Sequence, residues 1–148
     1  MNRRDQREQA FILIFERTIN NDTIAQIVEN AGESRDLVLS AFAEKVATGV
    51  QDNEAVIDEK IEQNIHGWKM SRLSRVSLAL LRLAIYEMMY EKDIPLSVSI
   101  NEVVDLAKKY GGSEDAPFIN GVLGSIAKEL EPQKIGRASC RERVFPLV

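Results

Sequence analysis

Residues 73–123 read LSRVSLALLRLAIYEMMYEKDIPLSVSINEVVDLAKKYGGSEDAPFINGVL, and we expect the rest of the chain to pack around this segment. In its first part, apolar side chains recur at spacings of three and four and also fill the neighbouring face, so a helix formed here would be apolar on most of its circumference. Such a helix belongs at the centre of a bundle. The residues that predict it are Leu73, Val76, Leu80, Leu83 and Glu87 on one face and Leu81, Ile85 and Met88 on the next.

Two more helices are predicted in the same stretch. The turn at Pro95 ends the first helix, because proline lacks a backbone donor and disfavours helical geometry in the preceding residue. Ser99 and Glu102 have the spacing of a capping box, which predicts a helix that starts at Ser99 and is closed by a left-handed Gly111. Pro117 suits the first turn of the third helix. The predicted buried positions are Ile100, Val103, Val104 and Ala107, followed by Phe118, Ile119, Val122, Leu123, Ile126 and Leu130.

The chain before residue 73 is predicted to form four further helices. Within them, Gly49 favours a close approach between helices, and Trp68 is expected to cover a junction between two of them. The whole chain therefore predicts an all-α protein, a compact bundle of about seven helices. The four helices are one over residues 2–15 whose first turns protrude, one capped by Asn21 or Asp22 and ended by Gly32, one that starts at Ser34, and one that starts at Asp52 or Asn53 and ends at residues 66–68.

Length and composition predict a single domain. A chain of 148 residues with 45% hydrophobic residues can bury one sizeable core. Its longest uninterrupted apolar run, residues 10–15, is too short to span a bilayer, and the start of the chain lacks the pattern of a signal peptide. Cys140 is the only cysteine, which excludes an internal disulfide framework. We therefore expect a cytoplasmic protein.

The last residues differ in character from the rest. From about Ile135 the sequence IGRASCRERVFPLV has neither helical periodicity nor turn signals, and it resembles sequence from an expression vector. We expect a helical domain at residues 1–130 and an unstructured tail at 131–148. Without the four basic and two acidic residues of that tail, 15 basic and 21 acidic residues remain, a net charge of −6. Binding to nucleic acid would then require a local basic patch or a basic partner.

One such patch is predicted at the start of the first helix. Arg3 and Arg7 are four residues apart and Arg4 lies beside them, so three guanidinium groups would share two helical turns. Arginine opposes the helix dipole at this end, so local stability does not account for the cluster. The alternative is that the arginines are only solvated.

A second candidate surface lies at the start of the last helix. Phe118 follows the polar residues Glu114 and Asp115 and precedes Asn120. An aromatic ring can stack on an unpaired base, and an asparagine can hydrogen-bond a base edge. The alternative is that Phe118 is the first core residue of its helix.

The sequence predicts no catalytic, metal or cofactor site. His66 is the only histidine and has no companion at ligand spacing. Gly111-Gly112-Ser113 lacks the lysine and the spacing of a phosphate-binding loop. We expect that the protein is not an enzyme.

Six motifs follow the arginine-rich start in order: Phe42…Val46…Gly49-Val50, Leu81-Arg82-Leu83-Ala84…Tyr86-Glu87, Asp93-Ile94-Pro95, Ile100-Asn101-Glu102, Leu106-Ala107-Lys108…Tyr110-Gly111 and Phe118-Ile119-Asn120-Gly121-Val122-Leu123. In this order they resemble the NusB family of bacterial transcription antitermination factors, over roughly residues 3–130. The resemblance implies two packed three-helix subdomains with a seventh helix. It also implies a heterodimer with NusE, a small-subunit ribosomal protein, that binds the boxA element of single-stranded nascent RNA, especially ribosomal RNA, and helps to assemble an antitermination complex on RNA polymerase. Some members of the family form homodimers and others are monomers.

The resemblance implies roles for eight residues. The implied RNA-binding residues are Arg3, Arg4, Arg7, Glu114, Phe118 and Asn120, and the weaker candidates for contact with NusE are Arg82 and Glu87. Three positions depart from the family pattern: Asp5 where many relatives have a base, Ser77 where they often have an acid, and Glu114 in place of a frequent aspartate. The alternative function is a protein-only helical adaptor without direct RNA contact. NusB-like domains also occur fused to RNA methyltransferases, but this chain lacks the Gly-rich strand–loop–helix of a cofactor fold.

Overall fold

The computed structural model describes residues 2–34, 39–67 and 69–138, and over these residues the regular secondary structure is entirely helical. Seven α-helices and one short 3-10 helix are present in these segments, in agreement with the prediction of an all-α protein with about seven helices. The α-helices are α1 (Arg3–Asn20), α2 (Ile24–Ser34), α3 (Ala41–Asp52), α4 (Glu54–Glu62), α5 (Arg75–Tyr90), α6 (Leu96–Tyr110) and α7 (Asp115–Ala138), and the 3-10 helix is Met70–Arg72.

The helices form two packed groups. The first group is α1, α2 and α3, which pack against one another, and the second is α5, α6 and α7. Helix α5 also contacts α1, α3 and α4, so it belongs to the second group and packs against the first. This arrangement agrees with two three-helix subdomains and one additional helix, α4.

Helix α5 is the central helix that its apolar circumference predicted. The hydroxyl of Ser74 accepts a hydrogen bond from the backbone N–H of Ser77 at 3.0 Å and caps its start. From there, most of its side chains are removed from water, because neighbouring helices cover several faces. The buried residues are Ser77, Ala79, Leu80, Leu81, Leu83, Ala84, Ile85, Tyr86, Glu87 and Met88.

Helices α3 and α5 approach closely at Gly49. A Cβ atom at this position would overlap the ring of Tyr86. The ring has little room to move away, since Tyr86 is 8% exposed and packs against Tyr90 with 5.2 Å between ring centroids. Gly49 therefore allows the close approach that the sequence predicted.

The predicted start of α6 is wrong. The helix begins at Leu96, one turn before Ser99, with Pro95 at the capping position. Ser99 is fully buried and its hydroxyl donates to Glu87 at 3.0 Å, while the carboxylate of Glu102 accepts hydrogen bonds from Arg4. A serine and a glutamate three residues apart can form a capping box, but the same spacing also occurs inside helices. In this protein both side chains form hydrogen bonds with residues of other helices.

A capping box is present instead at the start of α2. The backbone N–H of Gln26 donates to the Thr23 hydroxyl at 3.2 Å, and the N–H of Thr23 donates to the Gln26 side chain at 3.0 Å. The prediction that Asn21 or Asp22 caps α2 is therefore wrong, and Asn21 instead ends α1 in the left-handed conformation at φ 61°. Helix α2 continues past Gly32 to Ser34, so the predicted end at Gly32 is also wrong.

Three other boundaries differ from prediction. Ser34 ends α2, and Ser40 caps α3 by accepting from the N–H of Ala43 at 3.0 Å. Helix α4 ends at Glu62, before residues 66–68, and Trp68 lies outside the described residues. Gly111 ends α6 in an extended conformation at φ −104°, whereas a left-handed conformation was predicted.

Helix α7 continues to Ala138, into the segment that the sequence analysis assigned to a tail, and residues 139–148 lie outside the described part. None of the helices within the described ranges has the length and hydropathy needed to cross a bilayer.

The contact at Gly49 gives a prediction about stability. We expect Gly49→Ala to lower the free energy of unfolding by about 1–2 kcal/mol, because the added methyl group displaces a packed ring. Gly124→Ala is the matched control: nothing lies near a Cβ atom at that position in α7, so the same substitution should raise stability by about 0.5–1 kcal/mol. Urea denaturation followed by circular dichroism measures both values. Equal effects of the two substitutions would contradict the close approach.

Candidate nucleic-acid interface

Arg3 lies on the surface at the start of α1. Asn2 caps this helix by accepting from the backbone N–H of Asp5 at 2.8 Å, which fixes the direction of the first turn. The guanidinium carbon of Arg3 is 4.0 Å from the centroid of the Phe42 ring of α3. This cation–π contact holds the side chain against α3 while the residue remains exposed.

Arg4 is exposed but bound to carboxylates of α6. Its Nε and Nη2 atoms donate to the two carboxylate oxygens of Glu102 at 2.9 and 2.8 Å, and Nη2 also donates to Asp105 at 3.2 Å. The side chain of Arg4 is 62% exposed. The hydrogen bond from Arg4 lowers the pKa of Glu102 and raises the pKa of the guanidinium, because each charge stabilises the other.

Arg7 is buried, so the expectation that it belongs to an exposed patch is wrong. Its Nε and Nη2 atoms donate to the carboxylate of Glu87 at 2.7 and 2.8 Å. Ser99 donates to the same carboxylate at 3.0 Å. The side chains of Arg7 and Glu87 are 3% and 0% exposed, so neither can reach a ligand at the surface in this structure. The role of this pair is to join α1, α5 and α6.

A third polar contact between α1 and α6 was not predicted. Glu8 accepts a hydrogen bond from Lys109 at 2.6 Å and another from the hydroxyl of Tyr110. These hydrogen bonds lower the pKa of Glu8. Glu8 lies one turn after Arg4, so both side chains reach α6 from the same side of α1.

Acidic groups surround the predicted basic patch. Arg4 and Arg7 lie near the carboxylates of Asp5, Glu87, Glu102 and Asp105, whereas Arg3 contacts the Phe42 ring. The local charge is therefore not positive. Arg3 and Arg4 provide the exposed guanidinium groups, but the patch lacks the net charge that would attract RNA from a distance.

The predicted residues at the start of α7 lie on two sides of that helix. Glu114 and Phe118 line a cleft of about 540 Å³ together with Arg72 and Asp115. Asn120 lines a different groove, of about 500 Å³, between α6 and α7. The ring of Phe118 is partly buried against the core, in agreement with the alternative interpretation, and also borders the cleft. The structure therefore does not bring Phe118 and Asn120 into one pocket.

Asp115 fixes the wall of the Phe118 cleft. Its carboxylate accepts from the backbone N–H of Gly112 at 2.7 Å, the hydroxyl of Ser77 at 2.8 Å and the hydroxyl of Ser74 at 3.3 Å. The starts of α5 and α7 are thereby joined through one side chain. Ser77 is 1% exposed, so its hydroxyl acts inside this network and not at the protein surface.

The two residues of α5 that were predicted to contact a partner protein, Arg82 and Glu87, mainly form contacts within this protein. Arg82 donates to both carboxylate oxygens of Asp58 at 2.9 Å, which joins α5 to α4, and its side chain is 11% exposed. Glu87 is fully buried, so the expectation that it contacts a partner protein is wrong. His66 is exposed, and the described residues contain no group of histidine, cysteine and carboxylate side chains suited to a metal ion.

These features define a small all-α protein, with surface arginines at the start of α1 and a cleft beside Phe118 at the start of α7. A family comparison identifies it further. The chain belongs to the NusB family, whose family model matches residues 4–128. This range covers both helix groups.

Similar proteins support the assignment over nearly their whole length. The transcription antitermination protein NusB of Clostridium novyi is 41% identical over 132 residues, which cover 86% of this chain and 99% of that protein. The NusB of a Clostridium botulinum strain is 43% identical over 142 residues, with 85% and 99% covered.

Two solved structures have the same fold. NusB of T. maritima superposes with a TM-score of 0.79 at 33% identity and covers 92% of this chain and 98% of its own. A crystal structure of antitermination factors NusB and NusE in complex with double-stranded RNA superposes with a TM-score of 0.75 at 25% identity, with 87% and 99% covered.

The buried ion pair gives a second prediction about stability. We expect Glu87→Gln to lower the free energy of unfolding by about 3 kcal/mol, because the buried charge of Arg7 loses its partner. The double variant R7M/E87M should lower the free energy of unfolding by less, since it leaves neither charge buried without a partner. Glu129→Gln is the control, because Glu129 forms an exposed pair with Lys60 and its loss should change stability by no more than about 0.5 kcal/mol. A Glu87→Gln protein as stable as the control would contradict a structural role for the pair.

Proposed function

We propose that this protein is a transcription antitermination factor that, together with the ribosomal protein NusE, binds the boxA element of nascent ribosomal RNA and helps to assemble an antitermination complex on RNA polymerase. The observation that carries the proposal is its similarity, over most of the chain, to the NusB of the NusB–NusE–RNA crystal structure. No catalytic step is part of this function. The protein contributes surfaces that hold RNA and partner together.

The proposed RNA surface borders α6. Arg3 and Arg4 lie at one side, where Arg4 touches the middle of α6. Asn120 lies at the other side, in the groove that Lys108 also lines, and Phe118 lies beyond it, in the separate cleft between the starts of α5 and α7. A strand of RNA could place phosphates at the arginines and bases at Phe118 and Asn120. Single-stranded RNA suits this arrangement, because its bases are free to stack and to expose their edges.

A basic partner is a physical requirement of the proposal. Residues 1–130 carry a net charge of −6, and the exposed Arg4 is paired with the carboxylates of Glu102 and Asp105. Long-range attraction of RNA must therefore come from another protein, and a ribosomal protein with a basic surface can provide it. Of the two residues predicted for this contact, we retain Arg82 as a candidate, since part of its side chain is exposed.

A second candidate function is a protein-only adaptor that binds a partner without touching RNA. The observation that favours it is the neutralisation of Arg4 by Glu102 and Asp105. Formation of a homodimer through the start of α1 would also cover Arg3 and Arg4 and prevent RNA binding.

A titration separates these functions. We expect a fluorescent boxA-type RNA to bind weakly to the protein alone and at least about tenfold more tightly when NusE is added, with affinity that falls as salt rises. Fluorescence anisotropy measures the affinity, and the same sequence as a duplex tests whether the single strand is preferred. Size-exclusion chromatography of the free protein reveals any homodimer. A complex with NusE that binds RNA no better than NusE alone would favour the protein-only adaptor.

Surface variants test the residues that we assign. We expect Arg3→Ala and Phe118→Ala to weaken RNA binding by the NusE complex by about threefold and about tenfold, through loss of a phosphate contact and of base stacking. Lys128→Ala is the control, because it removes one positive charge from an exposed position of α7. Arg7→Ala is unsuitable, since it would leave the buried charge of Glu87 without its partner. RNA affinity equal to that of the control in both variants would exclude these surfaces.

A further inference from the structure

Two carboxylates of α6 occupy the part of Arg4 that would bind a phosphate. The Nε and Nη2 atoms form one edge of the guanidinium group, and this edge matches two oxygens of a carboxylate or a phosphate. Both atoms donate to Glu102, at 2.9 and 2.8 Å, and Nη2 also donates to Asp105 at 3.2 Å. A phosphate that approached this edge would meet oxygen atoms of the protein itself.

An RNA phosphate can replace the carboxylates bound to Arg4, whereas it cannot replace the carboxylate bound to Arg7. The side chains of Arg4 and Asp105 are 62% and 52% exposed, and that of Glu102 is 21% exposed, so water reaches all three groups. Exposed ion pairs are weak, because solvent screens them and both partners lose side-chain freedom. The pair of Arg7 and Glu87 is almost completely buried and is closed to an RNA phosphate.

The charge of the contact also opposes RNA. Arg4 contributes one positive charge, whereas Glu102 and Asp105 contribute two negative charges. The next residue, Asp5, adds another acid close to Arg4. An incoming phosphate is therefore repelled by the acids that it must replace.

We propose that Glu102 and Asp105 set the RNA affinity of this protein by holding Arg4 in place of an RNA phosphate. This inference rests on the proposed RNA-binding function. Binding then exchanges one hydrogen-bonded partner of Arg4 for another, so the net gain is small for the protein alone. The exchange also leaves Asp105 without its cation beside the bound RNA, and leaves Glu102 with only the more distant Nη1 atom of Arg7, at 3.8 Å. A basic group of a partner protein that approached these carboxylates would release Arg4 and so favour RNA binding.

The experiment compares two variants with the same change in net charge. E102Q/D105N removes the two acids that hold Arg4 and keeps their shape. E59Q/E62Q removes two exposed acids of α4, which lies outside the Arg4 contact. The probe is the fluorescent boxA-type RNA, titrated into each protein with and without NusE at several salt concentrations. Thermal unfolding of each variant shows that the fold is kept.

We expect E102Q/D105N to bind RNA about fivefold more tightly than the unmodified protein, while E59Q/E62Q changes affinity by less than about twofold. The salt dependence should also differ. Release of Arg4 in the unmodified protein leaves carboxylates that take up cations, which offsets part of the counterion release from RNA. The slope of log affinity against log salt should therefore be steeper in E102Q/D105N by about 0.7, the value for one additional phosphate contact on a single strand.

Arg4→Ala tests the link to the arginine itself. In the unmodified protein it should weaken RNA binding only slightly, whereas in the E102Q/D105N background it should remove the whole fivefold gain. A gain that persists without Arg4 would overturn the proposal, and so would E102Q/D105N binding RNA no more tightly than E59Q/E62Q. These outcomes differ from a failure of the proposed function, in which neither the unmodified protein nor any variant raises RNA affinity above that of NusE alone.

Discussion

A buried ion pair determines how three helices of this protein meet. Arg7 of α1 donates two hydrogen bonds to Glu87 of α5, and Ser99 of α6 donates a third to the same carboxylate. Removing two charges from water costs several kcal/mol for each ion, so the pair is tolerated only in this well-satisfied geometry. The direction of α1 relative to the second helix group is fixed as a result. Arg3 and Arg4 lie one turn before Arg7, and their positions against α3 and α6 follow from it.

The pair also explains why the arginines at the start of α1 differ in exposure. Arg7 is followed at helical spacing by Ala10, Phe11 and Ile14, all of which are buried, so it lies on the apolar face of α1. Arg3 and Arg4 lie before that face begins. Proximity in sequence suggested one basic patch, but the position around the helix axis separates a structural arginine from two surface arginines.

The apolar pattern of the sequence was sufficient for the core and much of the topology. The central position of α5 and the buried faces of α6 and α7 followed from helical spacing, because those contacts need only apolar side chains on the right side. Helix ends were less predictable: the Ser99–Glu102 spacing indicated a cap, whereas Thr23 and Gln26 form one. A polar side chain can form hydrogen bonds with neighbours in sequence or with residues far away in sequence. The local sequence gives no information about the distant partners.

The candidate site shows the same division. The sequence was sufficient to name Arg3, Arg4 and Phe118 as candidates for an RNA surface, because their side chains are of suitable types. The partners that modify them could not, since Glu102 is 98 residues away from Arg4 along the chain. Charged residues inside an apolar stripe, such as Glu87, were the one available signal of a buried pair, because such a position requires an opposite charge. Glu87 was instead expected at a surface that contacts a partner protein, so the buried pair was not predicted.

The hydrogen bonds of Asp115 affect how a ligand would bind in the cleft beside Phe118. They join Ser74 and Ser77, near one end of residues 73–123, to Gly112 nearer the other end. The wall of the cleft beside Phe118 is therefore held by the folded protein itself, and the cleft is present without a ligand. A base that entered it would order few additional side chains, so little conformational entropy would be lost on binding. Selection at this cleft would then depend on the shape and stacking of the base, and adjustment of the protein would contribute little.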